Sequence, residues 1–214
     1  MAKWFIGTCV FAILLVTGTY LDWGIFPGIF KQLASTCFIM AAWSAGAREN
    51  RYGHLILAGL CFSWCGDAFL IKGGDTFFLL GLGSFLLAHV LYCSAFILHG
   101  VSWKWSITSL LVIIPTIIAI MSGVFSHVPD DMKIPVGIYT IVITGMVMLA
   151  VGTQGVRGNR FIVVGAVMFY FSDVSVARSQ FLDTGFPYYV WGLPLYYMGQ
   201  LLLALSVWRN NEPD

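Results

Sequence analysis

Eight apolar segments, each close to the length a helix needs to cross a hydrocarbon layer, run through this chain with little between them. A layer of about 30 Å asks for roughly 20 residues at the helical rise of ~1.5 Å per residue. Segments near that length fall at Trp4–Tyr20, Ile29–Ala47, His54–Ile71, Thr76–Leu98, Trp105–Phe125, Pro135–Thr153, Phe161–Phe181 and Tyr188–Trp208. Short stretches rich in turn residues join them, such as "RENRYG", "KGGD", "SHVPDDMK" and "DTGFP". A backbone without water must satisfy its own hydrogen bonds, so these segments are expected to be helices. The expected fold is therefore all-α: a polytopic membrane bundle of eight transmembrane helices, forming a single integral membrane domain over residues 1–214. With 59% hydrophobic and 10% charged residues and a formal net charge of +1, the chain offers membrane lipids a surface and nucleic acid none. Nothing in the sequence specifies an oligomeric state.

Lys3 ahead of a short apolar core gives the first segment some likeness to a secretory leader. No small-x-small cleavage site precedes "TYLDWG", so the segment reads as a helix. Eight crossings put both termini on one side. That side holds Lys3, Arg48, Arg51, Lys104, Arg157, Arg160 and Arg209, against Lys31, Lys72 and Lys133 on the other, which predicts cytoplasmic termini by the positive-inside bias. Asp22, Asp75, Asp130, Asp131 and Asp183 fall on the far side. The small, loop-poor form suits a bacterial inner membrane. At an offset of 106 residues Gly59 falls on Gly165 and Asp67 on Asp173, which suggests an internal repeat of four helices plus four.

Two acids lie well inside expected spans: Asp67, in "LCFSWCGDAFLI", and Asp173, in "MFYFSDVSVARSQF". An ionisable group in a membrane is costly and marks a functional site by default, the bland alternative being a protonated Asp bonded to a neighbouring helix. Both fall in the half of the layer away from the termini. Lys31 and Tyr139 start their helices on that side; further in, His89 and Tyr92 share a face of the fourth helix, as do Tyr196, Tyr197 and Gln200 on the eighth. Each has a structural reading beside the functional one. Lys31 is equally well a lysine snorkelling to the interface, His89 a helix-to-helix hydrogen bonder, and Tyr139, Tyr196 and Tyr197 interfacial anchors or packing. Arg178, five positions after Asp173, points away from that acid and toward lipid phosphate. Cys9, Cys37, Cys61, Cys65 and Cys93 all fall in apolar runs without a completing ligand set, so they are expected to pack, and neither metal nor other cofactor is expected.

The strings "FSWCGDAFLI", "FFLLGLGSFLLAHVLYCSAF", "AVMFYFSDVSVARSQF" and "LPLYYMGQLLLA" together resemble the YhhN family of multi-pass membrane proteins, whose characterised relatives are lysoplasmalogenases. The resemblance covers essentially the whole chain. It departs from the family pattern at Lys31-Gln32, where Lys-Pro is common, and at Gln180, where a basic residue is usual. What the resemblance implies is hydrolysis of the vinyl ether of a lysoplasmalogen, giving a fatty aldehyde and glycerophosphocholine or glycerophosphoethanolamine.

Two buried carboxyls suit that chemistry. A vinyl ether is cleaved by protonating its β-carbon, adding water to the oxocarbenium ion, and collapse of the hemiacetal. A carboxyl removed from water keeps its proton more readily and so serves as donor near neutrality. A second, ionised carboxylate steadies the cation, the division of labour that glycosidases use. Asp67 and Asp173 are the expected pair, their roles unassigned; His89 and Tyr92 are expected to bond one acid or the leaving oxygen, and Lys31 or Arg178 to meet the phosphate. Two other readings use the same acids. A proton-coupled transporter would employ them as a relay. An intramembrane aspartyl protease would place Gly two residues before its Gly-Asp pair, where this chain has Trp64.

Overall fold

A computed structural model describes residues 1–156, 158–182 and 187–211. Arg157 and Asp183 of the charge tally, and the "DTGF" stretch, lie outside the described residues. The described residues form eight long helices: α1 (Ala2–Tyr20), α2 (Phe26–Ser44), α3 (Arg51–Lys72), α4 (Asp75–His99), α5 (Trp103–Phe125), α6 (Asp130–Thr153), α7 (Arg160–Phe181) and α8 (Gly192–Asn211). A single 3-10 turn, Tyr188–Val190, precedes α8. Among the described residues there is no strand. Six of the helices, α1 and α3 to α7, are long and apolar enough to cross a membrane. The two outside that set, α2 and α8, carry Lys31, Gln32 and Ser35 and Tyr196, Tyr197 and Gln200 respectively, polar residues that turn inward. The chain is thus an integral multi-pass membrane protein.

Local chemistry sets the helix ends. Asn50 caps α3 by accepting from the Gly53 amide at 2.8 Å, and Asn159 caps α7 by accepting from Phe161 at 3.1 Å. Gly73 (φ 67°) and Gly74 (φ 82°) turn the chain from α3 into α4 in a conformation that side chains rarely adopt. The start of α6 differs from the sequence expectation. It begins at Asp130, five residues before Pro135, with Pro129 as its N-cap. Pro135 is carried inside the helix, and the two acids of the first turn suit the positive end of the helix dipole.

Six helices close a ring. α2 packs on α3, α3 on α4, α4 on α6, α6 on α7, α7 on α8, and α8 back on α2. α1 lies outside against α2 and α8, and α5 outside against α6 and α7. α5 buries little beyond Ser106 and Val124 and turns Leu111, Val112 and Ile118 outward, as a lipid-facing helix should. α7 and α8 approach through glycines: a Cβ on Gly199 would stand 2.9 Å from the Gly165 carbonyl oxygen and 3.0 Å from the Phe169 nitrogen, both backbone atoms that cannot swing aside. Small residues at such crossings are how membrane helices gain contact.

Gly199→Val is therefore expected to force α7 from α8 and lower stability by about 1–3 kcal/mol, read as a fall in the thermal midpoint in detergent. Gly83→Ala, whose added carbon meets nothing within 4 Å, is expected to leave it unchanged or raise it by up to about 1 kcal/mol.

Candidate functional site

The ring encloses a cavity of about 200 Å³ at the end where α3 and α7 finish and α2, α4, α6 and α8 begin. Its walls are mostly apolar, among them Leu70, Phe78, Phe85, Ile143 and Leu193. Lys31, Asp67, Tyr139, Asp173 and Tyr196 interrupt them. Both carboxyl groups expected from the sequence therefore line one chamber.

Each acid has its own set of partners. Asp67, 2% exposed, has both oxygens engaged. Lys31 Nζ lies 3.3 Å from Oδ1, while the hydroxyls of Ser35 and Tyr196 both donate to Oδ2, the second at 2.9 Å. A further layer holds those groups in place. The Tyr197 hydroxyl donates to the Lys31 carbonyl at 3.2 Å, Gln200 Nε2 donates to Ser63 Oγ at 2.9 Å, and the Tyr92 hydroxyl donates to Gln200 Oε1 at 2.8 Å. Burial is tolerable here because both carboxyl oxygens find partners.

Asp173 is more open, its side chain 15% exposed. The Tyr139 hydroxyl donates to Oδ2 at 2.5 Å, and His89 Nε2 sits 3.1 Å from the same oxygen and 2.8 Å from the Tyr139 hydroxyl. Oδ1 has no partner among the described residues. His89 is fully buried, and its Nδ1 likewise lacks one. Phe169 separates the two sets, its ring 4.7 Å from His89 and 5.4 Å from Tyr196, centroid to centroid.

The two sets have one plan. Each acid stands on the third helix of its half of the chain, takes a partner from the second helix of the same half (α2 for Asp67, α6 for Asp173), and takes another from the fourth helix of the other half (α8 and α4). They differ in their basic partner: the first holds the Lys31 amine and the second the His89 imidazole.

Of the residues singled out in the sequence, Tyr92, Tyr197 and Gln200 stand behind the lining as supports of the Asp67 set, and Tyr92 touches neither acid. His89 reaches the cavity through Asp173 and Tyr139. Arg178 is exposed and is not among the lining residues; Ser179 and Gln180 beside it are. The sequence reading missed Ser35, Ser63 and Phe169. Each lies four residues from a group it did single out, on the same helix face: Ser35 after Lys31, Ser63 before Asp67, Phe169 before Asp173. Among the described residues no three His, Cys, Asp or Glu side chains gather as a metal site would require, and all five cysteines are free.

The family model of the YhhN family matches residues 27–207. Similar proteins include lysoplasmalogenase TMEM86B of Homo sapiens, 29% identical over 100% of this chain and 88% of its own length, and lysoplasmalogenase TMEM86A of Bos taurus, 28% identical over 100% and 90%. A third is the membrane protein YhhN of Escherichia coli O6:H1, 30% identical over 51% of this chain and 52% of its own. No solved structure matches the chain.

Removing one side of a buried ion pair leaves the other charge stranded. Lys31→Met is expected to destabilise the protein by about 3–5 kcal/mol in a detergent melt, and adding Asp67→Asn in the same chain to recover most of that loss. Equal destabilisation by the single and double variants would show that Lys31 stabilises by packing alone.

Proposed function

The chain belongs to the YhhN family, and from that membership and the paired carboxyls we propose that it is a lysoplasmalogenase, an ether hydrolase that splits the vinyl ether of lysoplasmalogens. The observation that carries this reading is that Asp67 and Asp173, with different sets of partners, line the same small, mostly apolar cavity. The substrate is a one-chain phospholipid entering from the membrane; its alkenyl chain runs along the apolar wall. Its phosphate meets Lys31 and the first turn of α8, where Gly192 and Leu193 line the cavity and the helix dipole favours an anion. The products are a fatty aldehyde and glycerophosphocholine or glycerophosphoethanolamine. The membrane in question is a bacterial inner membrane with both termini on its cytoplasmic side.

The difference between the two environments supports one division of roles. Asp173 carries the proton on Oδ1, the oxygen without a partner, while Oδ2 accepts from Tyr139 and His89. Asp67 is the carboxylate, since a cation and two hydroxyls already face its oxygens. The Asp173 proton passes to the β-carbon as the vinyl π electrons form the new C–H bond. The α-carbon becomes an oxocarbenium carbon, steadied by the nearby carboxylate. Water bonds to that carbon and gives a proton to Asp67. The hemiacetal then collapses: its hydroxyl proton returns to Asp173 while the glycerol oxygen leaves with the proton from Asp67. Both acids end as they began.

Purified protein incubated with a 1-alkenyl lysolipid is expected to release aldehyde, and with the matched 1-acyl lysolipid to release no fatty acid. Asp67→Asn and Asp173→Asn should each lower aldehyde release by about 10²–10⁴-fold, measured on the fraction of protein that elutes as the parent does. An active Asp173→Asn variant would remove that residue from proton donation.

A further inference from the structure

We propose that the same cavity hydrates terminal epoxides of long-chain lipids to the corresponding diols. The inference rests on the two carboxyl sets themselves and goes beyond vinyl ether cleavage. What the cavity offers a guest is a carboxyl with one oxygen unengaged among the described residues, a second carboxyl with both oxygens engaged, and walls that are mostly apolar. That combination opens a C–O bond that breaks once it is protonated and leaves a carbon ready for water. It is poorly suited to an acyl ester, because no serine or threonine lining the cavity is hydrogen-bonded to a histidine among the described residues, and Ser35 is committed to Asp67. An epoxide meets the first set of demands as well as an enol ether does. Ring strain weakens its C–O bonds, it is uncharged, and it partitions into lipid.

The depth of the acids selects the position of the ring. Asp67 stands five residues before the end of α3 at Lys72 and Asp173 eight before the end of α7 at Phe181, about 8 and 12 Å below those helix ends. The cavity walls continue inward past them to Phe85 and Ile143. A reactive group at the head of an alkyl chain reaches both carboxyls while the tail follows the apolar wall. An epoxide in mid-chain would draw a long segment of chain past two polar sets.

The step balances without any further reactant. The Asp173 proton passes to the oxirane oxygen as one ring C–O bond breaks. The oxygen of a water molecule bonds to the carbon so released, and that water gives its proton to Asp67. A proton then returns from Asp67 to Asp173 through water in the cavity, for a net addition of one water to one epoxide.

The experiment uses the full-length protein in detergent, the terminal epoxide of hexadecane, and water enriched in the heavy oxygen isotope. The expected result is a vicinal diol carrying one heavy oxygen, formed at least about 100-fold faster than without protein and at least about tenfold faster than from the mid-chain epoxide of stearic acid. Asp67→Asn and Asp173→Asn should each remove the acceleration. Tyr139→Phe, which keeps the ring and removes one donor to Asp173, should leave a folded protein with slower diol formation, and an unchanged rate would count against Asp173 as the acting group. Diol formation less than about 100-fold above the protein-free rate overturns the proposal, and so does acceleration that survives both Asp substitutions or a preference for the mid-chain epoxide. A 1-alkenyl lysolipid is assayed in parallel. Aldehyde without diol defeats this inference alone, whereas diol without aldehyde defeats the lysoplasmalogenase reading and leaves this one standing.

Discussion

A polar group in hydrocarbon has to find its partners inside the protein, and most of this structure follows from that constraint. Two carboxyl groups sit where water is scarce, and the bundle supplies each with donors from two other helices. Meeting that demand requires α2, α3 and α8 to converge on Asp67 and α4, α6 and α7 on Asp173, which are the six helices of the ring. α1 and α5 contribute no partner to either acid and lie outside. The cavity is the space left where side chains turn toward the two carboxyls instead of filling the axis.

The asymmetry between the acids matters more than their likeness. Asp67 has both oxygens occupied and a lysine beside it, an arrangement that fixes the group in place. Among the described residues Asp173 has two contacts on one oxygen and none on the other, and it is the more open of the two. Paired acids whose surroundings pull them toward different protonation states are the recurring way one site both gives and takes a proton. Phe169, lying between the two sets, holds His89 and Tyr196 at fixed spacing without adding a charge of its own.

Much of this was legible in the residues. Segment length fixed the number of long helices, and the two isolated acids, Lys31, His89, Tyr139 and Tyr196 fall into the two sets that line or border the cavity. What escaped has physical causes. Ser35 and Ser63 are small hydroxyls that usually bond their own helix, so nothing in their type announces a partner on another one. Phe169 is one of 17 phenylalanines, and its place between the sets is decided by the crossing of α7 and α8. Arg178 is exposed, the direction that its spacing of five residues from Asp173 suggests. The start of α6 was misread because Pro135 suggests a beginning, whereas the helix tolerates it in the second turn.

Because each acid borrows a helix from the opposite half of the chain, neither half contains a finished set of partners. During synthesis Asp67 enters the lipid with Lys31 and Ser35 but must wait for Tyr196, more than a hundred residues later, before its last hydroxyl arrives. Until α8 has been made, the Lys31–Asp67 pair therefore lacks one of its hydroxyl donors. α8 is the last of the six ring helices in chain order, so the wall of the cavity is complete only with it.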